Sequence, residues 1–180
     1  SKYYDGTTTA TGIGFNDNRI PGDNLAFYRE AYFENSAVGN NKNVNYSNIA
    51  ITGGLDKDNY TLASTTGVAL ANILVKPVTV TITGVNREYD GTTNAVVILS
   101  GNFVTGDDVS LTYGSAQFSD ASVGDGKTVT VTGIALSGTK ANQYTLASAS
   151  GTTTANITPI SRTIEVDGLT SFTYNGLSQG

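Results

Sequence analysis

The residues of this chain that could do chemistry are carboxylates, amides and amines, because His and Cys are both absent. Their absence removes the imidazole base that activates a Ser or Cys nucleophile, and the thiolate and imidazole metal ligands. Glycoside hydrolysis needs two opposed carboxyl groups across a cleft, and Glu30, Glu34 and nearby Asp residues are the nominal supply. Asp107, Asp108, Asp120 and Asp125 stand in loops and offer the oxygen ligands from which a calcium site would be built. No EF-hand-type loop motif accompanies them, and exposed turn carboxylates give the same pattern. Lys42 with Asn72, and Lys127 with Asn156, are pairs from which a Lys–Asn isopeptide crosslink could form, assisted by Asp5 or Asp90. That reaction would require the amine to be buried.

Charge narrows the partners. The chain has a net charge of −5 and a pI near 4.5, so the phosphates of nucleic acid and an anionic lipid surface would both repel it. No apolar run reaches the roughly 20 residues that span a bilayer, and no membrane insertion is expected. A chain without oxidisable sulfur and with few charged groups suits an extracellular setting. Sequons stand at Asn45-Tyr46-Ser47, Asn59-Tyr60-Thr61 and Asn156-Ile157-Thr158.

The elements that position these residues are repeated. Tyr4-Asp5-Gly6-Thr7-Thr8 returns as Tyr89-Asp90-Gly91-Thr92-Thr93, 85 positions later. The same offset superposes Asp23 on Asp108, Tyr28 on Tyr113, Phe33 on Phe118, Lys42 on Lys127 and Val44 on Val129. At an offset of 84, Tyr60 to Ser64 match Tyr144 to Ser148, and Ala71-Asn72-Ile73 match Ala155-Asn156-Ile157. Tyr174-Asn175-Gly176 opens a third copy. Shared positions are mostly aromatic, aliphatic or glycine, which carry packing and backbone geometry, so Tyr28 and Phe33 are expected in the core. Glu30 and Glu34 face Ser115 and Ser119 in the second copy, so no acid pair is shared and no enzyme is expected. Phe15, Phe27 and Tyr32 are replaced by Ser100, Thr112 and Gln117, which makes them the candidates for a ligand surface specific to the first copy.

Thr is the most frequent residue, ahead of Gly at 21, and residues 78–83 and 128–132 alternate apolar side chains with Thr. That period of two marks strands with one face inward. Further strands are expected at 95–99, 109–113, 116–119, 133–137, 143–147 and 152–158, separated by turns rich in Gly and Asp. The expectation is an all-β chain of tandem β-sandwich domains of immunoglobulin-like or related topology, at 1–76 and 77–159, with 160–180 beginning a third. Pro77 and Pro159 lead strands from one copy into the next and stiffen the connection. Strand 78–84 has no counterpart ahead of the first motif, whereas 160–166 supplies one at the far end. Either each unit runs from its Tyr-Asp-Gly through the following strand, or units borrow strands across junctions. In the second case another copy of the chain could donate one by β-augmentation.

The Tyr-Asp-Gly-Thr-Thr pair, the Tyr-Thr-Leu-Ala-Ser strands and the Ala-Asn-Ile-Thr-Pro ending at 155–159 resemble the YDG repeat family, related to MBG-type repeats. The resemblance covers practically the whole chain. It implies a secreted or cell-surface location in large bacterial adhesins, including haemagglutinin-like proteins exported by two-partner secretion, and a role as a stalk or spacer in adhesion or biofilm cohesion. Partners are then adjacent repeats; other copies pairing by strands, and surface glycans held on aromatic side chains, are the alternatives. No cofactor is expected beyond the calcium weighed above. Tyr4, Asp5, Gly6 and Tyr89, Asp90, Gly91 are read as structural: a turn entering a strand, with the Tyr packed at a unit boundary and its hydroxyl satisfied.

Overall fold

The computed structural model of the protein describes residues 1–12, 14 and 16–164. Among them every extended element is a strand, and the helical content is two single turns of 3₁₀ helix at Lys57–Asn59 and Ala141–Gln143. In the first copy, Lys2–Tyr3 (β1), Ala26–Phe33 (β2), Gly39–Gly53 (β3) and Gly67–Leu74 (β4) form one sheet in the order β1-β4-β3-β2. The β1/β4 pair is parallel and the others antiparallel.

The second copy contributes Lys76–Val78 (β5), Val80–Val85 (β6), Arg87–Glu88 (β7), Val96–Gly101 (β8), Ser110–Thr112 (β9), Ser115–Phe118 (β10), Gly124–Thr132 (β11), Ala135–Ser137 (β12), Tyr144–Leu146 (β13) and Ser150–Thr158 (β14). Its sheet β10-β11-β14-β7 repeats the first one strand for strand, again with a parallel edge. The expected strand over 78–83 is divided at Thr79. Upstream, β5 pairs parallel with β13; downstream, β6 pairs antiparallel with β8. Both partners belong to the second copy, so the Pro-led segment works with the motif that follows it. Residues 160–164 form no strand; the remainder of 160–166, the third motif at 174–176 and Phe15 lie outside the described residues.

Two apolar clusters hold these sheets. One lies within the second copy and includes Val97, Phe118, Val129, Val131, Ala155 and Ile157, all at most 5% exposed. The other joins Tyr4, Phe33, Val44 and Ile73 of the first copy to Val78 and Tyr144 of the second. A core that crosses the boundary has a direct consequence, because the copies cannot separate without exposing it.

The inward strand positions alternate as the Thr pattern requires. In β11 Val129 and Val131 are buried between exposed Thr128, Thr130 and Thr132. The expectation fails at Tyr28, which is 50% exposed while Phe33 is 4% exposed. A register shift between Tyr28 and Glu30 turns Tyr28 outward, whereas its sequence partner Tyr113 packs against the second core.

Candidate functional site: the junction between the two copies

Each Tyr-Asp-Gly motif forms one turn. Asp5 Oδ1 accepts hydrogen bonds from Thr7 N and Thr7 Oγ1, both at 2.9 Å, and Asp90 Oδ1 accepts the equivalent pair from Thr92 at 2.8 Å. The glycine that follows has a φ of +78° at Gly6 and +81° at Gly91, a conformation in which a Cβ would be strained. A cation three residues ahead of the Asp closes the turn: Lys2 pairs with Asp5 at 2.7 Å, and Arg87 with Asp90. The same cations lie over aromatic rings, Lys2 at 5.6 Å from Phe33 and Arg87 at 5.3 Å from Phe118. Bonds from the Thr92 backbone and hydroxyl hold the Asp90 carboxyl below its usual range.

The turn aims its Tyr. Tyr4 is 3% exposed and packs edge-on against Tyr144 of the other copy, ring centroids 5.6 Å apart at 79°. Phe103 meets the same Tyr144 ring at 5.3 Å and 88°. Both hydroxyls donate to one carboxylate: Tyr4 Oη to Asp107 Oδ1 at 3.1 Å and Tyr144 Oη to Asp107 Oδ2 at 2.5 Å. Tyr144 Oη in turn accepts from Val104 N at 2.9 Å. Burial, with the Asp107 carboxylate beside it, pushes the Tyr144 hydroxyl up to about 12, and burial and Asp107 raise Tyr4 as well. Across the boundary Val38 N donates to Gln143 Oε1 at 2.7 Å, and Gln143 is 6% exposed. Tyr89, the sequence equivalent of Tyr4, is 41% exposed.

Tyr60 Oη donates to Asp23 Oδ2 at 2.6 Å and accepts from Ile20 N at 2.9 Å. That repeats Tyr144, Asp107 and Val104, so the structure superposes Asp23 on Asp107, where the sequence offset had placed it on Asp108. The one-residue difference is absorbed at the β2 register shift. Asp108 instead caps the next turn, accepting from Thr139 N at 3.0 Å and Thr139 Oγ1 at 2.9 Å, bonds that lower its pKa.

These assignments correct the calcium expectation. Asp107 is engaged by two tyrosines, Asp108 by Thr139, and Asp120 by Lys127 Nζ at 2.5 Å and Ser122 N at 2.8 Å. The Lys127 ammonium, with Ser122, holds the Asp120 carboxyl down to about 2. Asp125 is exposed on β11. Among the described residues no three acidic side chains gather as a metal site would require.

The isopeptide expectation is corrected too. Lys42 is buried at 7% exposure, but its Nζ donates to Asn35 Oδ1 at 2.6 Å and lies 3.7 Å from Glu34 Oε1. Its cross-strand partner is Ala71, and Lys127 pairs with Ala155. Asn72 and Asn156 are the next residues along, so their side chains leave the opposite face of the strand. Each caps a bulge: Asn41 N donates to Asn72 Oδ1 at 2.8 Å, and Gly126 N to Asn156 Oδ1 at 2.7 Å. Asn41 and Gly126 hold a φ of +51° and +59°, and the shift in pairing at Gly39/Lys42 recurs at Gly124/Lys127. The aligned Asn residues are therefore the supports of a left-handed bulge.

Phe27 and Tyr32 do not form one surface. Phe27 lies under Arg19, 5.4 Å from ring centroid to guanidinium, and lines a pocket of about 60 Å³ that Tyr32 does not reach. Tyr32 is 44% exposed. Glu30 accepts from Tyr28 Oη and Asn48 Nδ2, and Glu34 sits by Lys42.

The chain is all-β, and its recurrent polar side chains build turns, bulges and a packed junction between two copies of one β unit. It belongs to the YDG domain family, whose model matches residues 1–67 and 75–154. No curated protein and no solved structure matches the chain.

Proposed function

We propose that the chain is a structural spacer: two tandem β-sandwich units, divided near residue 76, within an extracellular stalk that carries adhesive parts away from a bacterial surface, with no catalytic role. The observation that supports this reading is the junction. Tyr4, Asp107 and Tyr144 join the copies through a shared carboxylate inside a shared apolar cluster. Only a short Val75-Lys76 step separates β4 from the Pro-led segment, so little free chain is left to act as a hinge. A spacer needs this, since distance is transmitted only if neighbouring units keep their relative orientation. In the sandwich reading, β6 and β8 form the layer facing β11 and β14.

The adjacent repeat is thus the principal partner. Pulling the chain by its ends in a force spectrometer tests the role. A spacer of this design unfolds in discrete steps at a load that Tyr4→Ala lowers. Gradual extension at low force, unchanged by that substitution, contradicts it.

A further inference from the structure

The outward faces of the two equivalent sheets differ in chemistry. Across β10, β11 and β14 the outward row Gln117, Thr130 and Thr152 is exposed and bears only amide and hydroxyl groups. The same row in the first copy is Tyr32, Asn45 and Val68, with Tyr32 44% and Val68 64% exposed. The β2 register shift brings Tyr28, 50% exposed, to this side as well, so Tyr28, Glu30 and Tyr32 follow one another along the outward face of β2. At roughly 3.3 Å per residue the row is about 13 Å long. The strand that leads into a motif does not cover this face. In the second copy β6 lies over Gly151, on the opposite side of the sheet, and Gln117, Thr130 and Thr152 stay exposed.

Glu30 is held in place between the two rings. Its Oε1 accepts from Tyr28 Oη at 3.3 Å and its Oε2 from Asn48 Nδ2 at 3.1 Å. Asn48 has a φ of +53°, and Gly133, its aligned residue, has +69°. Glycine adopts that conformation without strain. The first copy places Asn there instead, and the amide so gained supports a carboxylate at the position where the second copy has Ser115. A strained bulge residue that aims a side chain at an exposed polar group is a feature of binding sites. The cations of β2 to β4, Arg29 and Lys42, alternate with the outward positions, so among the described residues this face carries one carboxylate and no cation.

We infer that Tyr28, Glu30, Tyr32, Asn45 and Asn48 form a binding face for a neutral, unbranched oligosaccharide. Two tyrosines in line along one strand offer ring faces to the apolar C–H faces of successive sugar rings, whereas a site for a point cation needs rings turned about one centre. The fixed Glu30 carboxylate accepts from sugar hydroxyls, and the Asn45 amide both donates and accepts. Tyr supplies rigid contact area at low entropic cost and Asn supplies adaptable hydrogen bonding. With one carboxylate and no cation, the face repels sulfated and uronic-acid glycans. The inference rests on comparing the two copies and holds whether or not the array is a stalk.

The test is a titration of the isotope-labelled chain with cellotetraose and with chitotetraose, each up to about 10 mM, followed by NMR. Saturable shifts with at least one of them are expected at Tyr28, Glu30, Tyr32 and Asn45, and none at Ser115, Gln117 and Thr130, the same positions of the second copy. Tyr32→Gln and Asn48→Gly install the second copy's residues. The first should weaken binding at least about tenfold and the second at least about threefold, with the thermal midpoint of Asn48→Gly little changed because glycine accepts the positive φ. Absence of saturation with both sugars, equal shifts on the two copies, or unchanged binding by both variants overturns the proposal. So does binding of a heparin oligosaccharide or of tetramethylammonium at these residues in place of the neutral sugars. Shifts at Tyr28 and Tyr32 that grow with protein concentration in the absence of sugar overturn it too, because a second copy of the chain would then be the occupant.

Discussion

Replacing Tyr4 separates the contribution of the junction from that of the motif itself, because Tyr89 is the same residue in the same turn and, among the described residues, is 41% exposed. Tyr4→Phe keeps the ring against Tyr144 and removes only the donor to Asp107, which still accepts from Tyr144. A hydrogen bond to a charged group contributes about 1.5–3 kcal/mol, and the lower end applies because Asp107 retains one donor and the distance is 3.1 Å. Tyr4→Ala removes a side chain that is 3% exposed along with its edge-on contact, for a cost of about 3–5 kcal/mol. Tyr89→Phe should lie within about 0.5 kcal/mol of the parent, since Tyr89 is 41% exposed. Urea unfolding monitored by circular dichroism measures all three. With Tyr4→Ala the transition should also lose cooperativity, because the shared cluster no longer couples the copies. Equal effects of Tyr4→Phe and Tyr89→Phe, or a loss under about 1 kcal/mol for Tyr4→Ala, would refute the reasoning.

The glycines provide a second comparison: Gly84→Ala and Gly151→Ala should each cost about 1–3 kcal/mol through overpacking against β14 and Ile82, while Gly67→Ala, over open space, should cost little, as thermal melts would report. Asn156→Ala should cost about 1 kcal/mol by leaving the Gly126 amide without its partner, and the intact mass of the parent should equal the sequence mass with no ammonia lost. Raising the pH tests Tyr144. Its folded pKa of about 12 exceeds the ordinary 10.0, so its contribution is complete below pH 10 and disappears as the pH rises through 12. Two pH units of difference correspond to about 3 kcal/mol, and Tyr4→Phe should reduce this alkaline loss by removing the second buried hydroxyl, measured as chemical denaturation at stepped pH.

Much of the fold was legible in the sequence because its cause is local. Alternation of Thr with Val or Ile specifies strands such as β6 and β11 without reference to anything distant, and Asp-Gly-Thr carries its own turn in its side-chain bonds. The placing of Tyr4 at a unit boundary with a satisfied hydroxyl followed from an aromatic residue held in that turn. What the sequence concealed depends on registers. Tyr28 and Tyr113 are identical and aligned, yet a shift of one residue in β2 sends one outward and leaves the other against the core. The same shift hid the correspondence of Asp23 with Asp107. Asp120 resembled a calcium ligand and Asn72 an isopeptide partner because exposed composition says nothing of which neighbour a side chain meets. The repeated Asn-to-bulge bond could have been suspected, since Asn41 and Gly126 occupy one aligned position and both residue types favour positive φ. Division of 78–83 at Thr79 had no sequence signal, because both halves have the same alternation.

The central claim is that the two copies move as one body, and the measurement that tests it most directly is backbone ¹⁵N relaxation across both. The account predicts a single diffusion tensor that fits amides of β3–β4 and β11–β14 together, with no excess fast motion at Val75 and Lys76. Separate, faster correlation times for the two copies would contradict it, because a junction that loosens on the nanosecond scale cannot hold Tyr4 in its place against Tyr144 and Asp107.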